Sequence, residues 1–257
     1  MSGLVSRLLA HPLTRGLPVD DPSTTVLRRR IVREKPFLNA LYREWYRRLL
    51  SLMPTPGTVL EIGSGAGFLK ELRPDVIASE LFLTPGVDVV ADGRCLPFSS
   101  GSLDGVAMTD VFHHIPDVAA FLGEAARCVR PGGRLAMIEP WRTSWSEWIF
   151  RNFHPEPFDP AADWSIPATG PLSGANGALP WIVFARDRAR FSAEFPEWRL
   201  SRLEPMMPCA YLFSGGVSLR SLAPGWLYPF CRALESVLGE RRLAMFALIV
   251  LERTQTR

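Results

Sequence analysis

The residues best equipped for chemistry begin with an acid and three glycines at alternate positions, Glu61-Ile62-Gly63-Ser64-Gly65-Ala66-Gly67. An apolar run, Thr58 to Ile62, reads as a buried parallel strand broken only by Glu61, and Phe68 to Leu72 can open a helix. Strand, glycine turn and helix bring backbone N–H groups up to a ligand, because glycine permits positive φ and lacks the Cβ that blocks close approach. A dinucleotide-binding turn has the pattern G-x-G-x-x-G. Here Phe68 stands where the third glycine of that pattern belongs, and Gly67 comes one residue early. Glu80 lies 17 residues beyond Gly63, at the end of a second strand centred on Val76-Ile77-Ala78. A carboxylate there can accept from both hydroxyls of a ribose diol. The histidines His113, His114 and His154 titrate near neutral pH and can take a proton. His154 has Glu156 and Asp159 close by in sequence.

Other elements must position these groups. Val87 to Ala91 reads as a third strand running into Asp92-Gly93-Arg94-Cys95-Leu96-Pro97-Phe98, and no helix is expected between Leu81 and Gly86. Leu103 to Thr109 is a fourth strand, followed by Asp110-Val111-Phe112-His113-His114-Ile115-Pro116-Asp117. Asp117 can cap a helix over Val118 to Val129, which Arg130-Pro131-Gly132-Gly133 ends. Arg134 to Glu139 is a fifth strand.

The pattern E-x-G-x-G-x-G resembles the first motif of the class I S-adenosylmethionine-dependent methyltransferases. The acid after the second strand, the Asp and Leu-Pro-Phe turn after the third, the His pair after the fourth and the Pro-Gly-Gly turn before the fifth extend the resemblance over roughly residues 56–140. It implies an α/β fold: a three-layer Rossmann-like sandwich on a mostly parallel seven-stranded sheet, with an antiparallel last strand. It also implies S-adenosylmethionine as cofactor. Gly63, Ser64, Gly65 and Gly67 would pass under its methionine part, with Glu61 at the ammonium. Glu80 would meet the ribose, Asp92 and Gly93 the adenine, and Asp110 would stand in the segment beside the transferred methyl. Of the histidines, His114 matches the more recurrent family residue, and His154 suits an acceptor-side role. The implied reaction is methyl transfer to a small-molecule or lipid- or sugar-linked acceptor, with O-methylation favoured. A non-catalytic cofactor-binding module and a nicotinamide-dependent oxidoreductase are the alternatives.

Around this core the chain divides into an N-terminal helical cap (1–53), the cofactor-binding core (54–140), an acceptor-side insertion after the fifth strand (141–197) and closing strands with a helix (198–257), all in one domain. Ser23 or Thr24 can cap a helix to Glu34, and Pro36 separates it from a second, Phe37 to Leu52. The arginines of these helices form a solvated face or an anion-binding lid. Trp141, Trp145 and Trp148 share a helical face and serve as core or as an aromatic wall for the acceptor. The loop after Phe153 is long enough to expect a function over the strand ends. Leu179 to Phe191 reads as a helix, Trp198 to Leu203 as a strand, Trp226 to Leu238 as a helix and Leu243 to Leu251 as the closing strand.

Composition narrows the class. The chain of 257 residues is 47% hydrophobic and 21% charged, with a net charge of +3. That is an ordinary globular balance. Ten basic residues against four acids in residues 1–50 make the N-terminal part basic, but neither this nor the Asp110-Val111-Phe112 segment fits a nucleic-acid enzyme. Four scattered cysteines imply neither disulfides nor zinc, so a reducing cytoplasm and no metal are expected. The apolar start, cut by Arg7, His11 and Pro12, does not read as a signal peptide. The apolar run Leu243–Leu251 is too short to span a bilayer, so membrane contact would be peripheral at most.

Overall fold

The computed structural model describes residues 11–13, 20–65, 67–154, 156–167, 170 and 173–255. The short amphipathic segment expected at Gly3 to Ala10 lies outside them.

Strand β1 (Val59–Ile62) is buried along its whole length, as an apolar run covered on both faces must be. Strands β2 (Ile77–Glu80) and β4 (Leu103–Thr109) pair with it in parallel on either side. Beyond them lie β3 (Val89–Val90) and β5 (Val129–Pro140), also parallel. Strand β7 (Phe246–Arg253) is antiparallel between β5 and β6 (Trp198–Met206), giving the order β3-β2-β1-β4-β5-β7-β6. The expected α/β sheet with its antiparallel last strand is therefore present. The order reverses between β1 and β4, and such a reversal opens a crevice at the carboxyl ends of the strands.

Two helices, α1 (Pro22–Glu34) and α2 (Pro36–Leu50), form the cap. Asp21 rather than Ser23 or Thr24 caps α1, its carboxylate accepting from Ser23 N at 2.8 Å. Pro36 has no N–H to continue the helix, so the chain breaks at Lys35. Lys35 is buried, and its ammonium donates to the carbonyls of Gly216 (2.6 Å) and Leu219 (2.8 Å), fixing the cap to a distant loop. Burial pulls its pKa down to about 8. Helix α2 buries Phe37, Leu38, Leu41, Tyr42, Trp45, Tyr46 and Leu49, the i, i+4, i+7 stripe that seats a helix on a sheet.

Several boundaries differ from the sequence reading, three of them with a visible local cause. Strand β5 starts at Val129, which pairs with Leu103; the left-handed Gly132 (φ +82°) takes up the extra residues before pairing resumes at Arg134. The helix expected over Leu179 to Phe191 is α-helical at Leu179–Trp181, widens to π over Ile182–Arg186 and resumes at Arg188–Glu194. The widened turn presents the Asp187 carboxylate to Trp164 Nε1, 2.9 Å away. The closing strand begins at Phe246 because Glu240–Leu243 forms a helical turn. Among the described residues no helix is long and apolar enough to cross a membrane.

Candidate active site

Parallel strands deliver their carboxyl ends to one edge of the sheet. Here those ends open into a cleft of about 370 Å³, walled by Glu61, Gly63, Gly67, Glu80, Asp92, Gly93 and Asp110 from the core. Its other wall comes from Thr25, Arg28, Tyr42 and Tyr46 of the cap, His114, His154 and Glu156, Tyr211 of the short helix Ala210–Ser214, and Val217 and Ser218 just after that helix. Ser64 and Gly65 are not on the wall. Ser64 is buried, its hydroxyl unpartnered among the described residues.

The glycine turn is shaped by what packs against it. Gly63 has φ +73°, and a Cβ on it would lie 2.3 Å from Val111 Cγ2. A Cβ on Gly65 would lie 2.4 Å from both Glu80 Oε2 and Thr25 Cγ2, and one on Gly67 2.1 Å from the Tyr46 hydroxyl. Missing side chains thus let α1 and α2 close over the turn. Arg29 fastens this contact by donating from Nε to the Gly65 carbonyl at 2.9 Å, so this arginine belongs to neither a solvated face nor a lid. Arg28 beside it faces the cleft. Arg30, Arg33 and Arg48 pair with Glu34, Glu71 and Glu204.

The acids differ in state. Burial pushes Glu61 up to about 8, against the pull of Arg29. Glu80 accepts from Gly65 N (2.9 Å) and Leu81 N (2.8 Å), which aims the carboxylate along the cleft and leaves a lone pair on each oxygen. The guanidinium of Arg94 grips Asp92 and holds its carboxyl below the usual range. Asp110 has the left-handed φ of +61°, tolerable for Asp; burial raises its carboxyl to about 7.

Behind the far wall lies a network that no sequence pattern announced. Glu139, fully buried in β5, accepts from Val111 N and Phe112 N at 2.8 Å each and meets His113 Nδ1 at 2.8 Å. His113 Nε2 reaches Glu156 Oε2 at 3.3 Å. Burial opposes charge on this imidazole, but the two carboxylates outweigh it and raise its pKa well above the ordinary value. Glu156 is held below the usual range: burial alone would raise it, and His113, His154 and His114 reverse the sign. His114 Nδ1 lies 3.1 Å from the Gly174 carbonyl, and burial lowers this ring to about 4. His154 ends the helix Ser144–Phe153 and is lowered by burial too. The insertion is stitched to the His pair by Asn176, whose backbone N–H donates to the His113 carbonyl at 2.9 Å. The long loop thus reaches the strand ends. The tryptophans do not form an aromatic wall: Trp141 is buried at the end of β5, before the helix starts. Trp145 donates to the Pro208 carbonyl at 2.8 Å, and Trp148 stacks on it at 6.0 Å, half exposed.

This strand order, with a glycine turn and carboxylates around a cleft at the strand ends, is that of the class I S-adenosylmethionine-dependent methyltransferases. The chain belongs to the methyltransferase domain family, whose profile matches residues 34–200; enzymes of this family use S-adenosylmethionine. Among its relatives, a demethylmenaquinone methyltransferase of Thermus thermophilus is 32% identical over 118 residues, covering 37% of this chain and 53% of that one. A 2-methyl-6-phytyl-1,4-hydroquinone methyltransferase of Synechocystis is 30% identical over 146 residues, covering 49% and 45%. The chain spans about half the length of these curated relatives. The geranyl diphosphate C-methyltransferase of Streptomyces coelicolor, solved with Mg2+, geranyl diphosphate and S-adenosylhomocysteine, superposes with a TM-score of 0.54 over 96% of this chain and 90% of that one. At 14% identity this likeness is one of fold.

The wall residues fit the cofactor. Its volume is in the range of small-molecule clefts. The buried Glu61 carboxyl suits a cationic ammonium, and the two oxygens of Glu80 suit a diol. Asp92 must share its carboxylate with Arg94 to meet an adenine amine. One prediction follows from Glu61. In the free chain at pH 7 this group is mostly protonated, since pH 7 is below its raised pKa of about 8. An ammonium bound beside it favours the carboxylate, so cofactor binding at pH 7 should release up to one proton. Calorimetry in buffers of different ionisation enthalpy measures this release. Equal release by Glu61→Gln would remove Glu61 from the ammonium site. The sign for stability is opposite. Between the ordinary carboxyl range and about 8 the folded chain keeps a proton that the unfolded chain has lost, so the contribution of Glu61 to stability falls as pH rises through that window.

Proposed function

We propose that the chain transfers the methyl of S-adenosylmethionine to a hydroxyl on a small acceptor with an apolar part. One observation carries this reading. A narrow apolar pocket lined by Ile149, Phe150, Phe153, Leu212 and Met245 shares His154, Tyr211, Val217 and Ser218 with the main cleft. An acceptor can seat a small apolar group in this pocket of about 40 Å³ and present its polar end at the histidines. The relatives named for a demethylmenaquinone and a phytyl hydroquinone support an acceptor of this kind. Arg28, on the same wall, suits an anionic substituent.

The cofactor, when bound, supplies a methyl carbon already activated by its sulfonium. The chain contributes position and proton removal; orientation alone can supply ~7–11 kcal/mol. His154 Nδ1 accepts only a long bond from Glu156 N (3.4 Å), which marks it as the lone-pair nitrogen; an acceptor hydroxyl must displace that bond to give its proton there. A proton taken from the acceptor at Nδ1 is stabilised by Glu156 Oε2, 3.7 Å away. His154→Ala should lower kcat by about 10²-fold with cofactor affinity retained. Wild-type turnover in this variant would remove His154 from the role. The reading as a whole is tested by calorimetric titration with S-adenosylmethionine, S-adenosylhomocysteine and NAD, then by product analysis with hydroxylated apolar acceptors. Micromolar binding of the first two and methyl on oxygen are expected. Binding of NAD alone would overturn the cofactor assignment, and methyl on carbon or nitrogen the choice of acceptor atom.

A further inference from the structure

The four histidines show no ligand spacing in sequence, yet folding brings His113 and His114 to the carboxylate that His154 neighbours from two residues away. His113 Nε2 lies 3.3 Å from Glu156 Oε2, and His114 Nε2 lies 3.8 Å from Glu156 Oε1. One donor atom from each of His113, His114 and Glu156 falls within a common 4.8 Å. Ligand atoms 2.0–2.1 Å from a tetrahedral zinc stand about 3.4 Å apart, so the cluster needs little movement to close on a cation.

A second observation separates this cluster from a chance meeting of side chains. A histidine that binds metal through one nitrogen almost always gives the other to a carboxylate or a backbone carbonyl, which fixes tautomer and ring orientation. Both histidines do so here. His113 Nδ1 meets Glu139 Oε2 at 2.8 Å, and Glu139 is itself anchored by two backbone N–H groups. His114 Nδ1 meets the Gly174 carbonyl at 3.1 Å. Both Nε2 atoms are thereby aimed at Glu156, and the His113 ring is 1% exposed. His114 and Glu156 also line the cleft, so a cation there has an entry path and one side left for a ligand.

We propose that His113, His114 and Glu156 bind a divalent cation of the zinc class at the far wall of the cleft, with its open side toward the bound acceptor. Two imidazoles and one carboxylate favour a borderline cation over Mg2+ or Ca2+, which prefer all-oxygen shells. The cation takes the place of the proton between His113 Nε2 and Glu156, and that proton leaves to solvent. Metal binding stands on its own geometry; its service to an acceptor oxygen, as a Lewis acid, rests on the function proposed above.

The experiment is calorimetric titration of chelator-treated, tag-free full chain with ZnCl2, with no cofactor present. Saturation at one Zn2+ per chain is expected, with affinity at least tenfold weaker in His114→Ala and in Glu156→Gln, and unchanged in His11→Ala, whose ring is elsewhere. Absorption of the wild-type Co2+ complex gives a readout independent of the variants: a ligand-field spectrum of low coordination number is expected. Absence of stoichiometric Zn2+ binding by the wild type, or undiminished binding by both folded variants, would overturn the proposal. Either result leaves the cofactor assignment intact, because S-adenosylmethionine binding is measured separately.

Discussion

Gly65→Arg is expected to abolish cofactor binding, leaving a Kd weaker than about 1 mM. A Cβ at this position meets Glu80 and Thr25 at 2.4 Å, closer than any side chain tolerates. The rest of an arginine must then displace Glu80, which leaves its bond to Gly65 N, or push α1 off the turn and strip Arg29 from the Gly65 carbonyl. Either route spoils the wall of the cleft. Gly123→Ala is the control: on the helix Val118–Cys128 an added Cβ meets nothing within 4 Å, and the change should be neutral or slightly stabilising. Calorimetry with S-adenosylmethionine decides. Near-native affinity in Gly65→Arg would mean that the cofactor lies elsewhere.

The second large effect is on stability. Glu139→Ala should destabilise the fold by about 3–5 kcal/mol, because removing one partner of a buried charged pair leaves the other uncompensated. The variant also orphans the N–H groups of Val111 and Phe112, each in a setting where an unmade bond is costly. A fall in Tm on the order of 10 °C is expected for a chain of this size. Glu139→Gln, which keeps an acceptor for the two N–H groups, should lie between this variant and the wild type. Unfolding within about 1 kcal/mol of wild type for Glu139→Ala would show that the charged His113 is satisfied by Glu156 alone.

What the sequence made legible was whatever is encoded locally. The buried run before Gly63, the acid ending β2 and the Asp117 cap all follow from spacing within a few residues, and the family pattern linked them in order. The far wall of the cleft is different in kind. Glu139 reads as one polar residue in an apolar strand, and Glu156 as one acid in a Pro-rich loop; only the packing of the insertion on the His pair brings them together. Tyr211 and Val217 come to the same wall from the five-residue helix Ala210–Ser214 and the turn after it, a stretch too short and turn-rich to carry a pattern of its own. Arg28 and Arg29 are neighbours in one basic run. Their opposite fates, one facing the cleft and one clamping a carbonyl, depend on the rotation of α1 against the turn, which charge alone does not reveal. The tryptophan period misleads because it runs across a strand end: Trp141 directly follows β5, and Thr143 starts the helix by accepting from Ser146 N at 3.0 Å.

The contact of the cap with the glycine turn constrains how this chain can be rebuilt by evolution or by hand. Thr25 and Tyr46 occupy the space that side chains on Gly65 and Gly67 would need. Helices α1 and α2 are therefore not a cassette that a relative can lend without its own turn. Tyr46 and Gly67 must be exchanged together, as must Thr25 and Gly65, and the carbonyl that Arg29 holds must travel with them. A transplanted cap lacking this match would sit away from the strands and leave the cleft open to water on its most crowded side. The boundary at which two such chains can be joined runs after the first turn, near Phe68, rather than between residues 53 and 54, where the sequence divides cap from core.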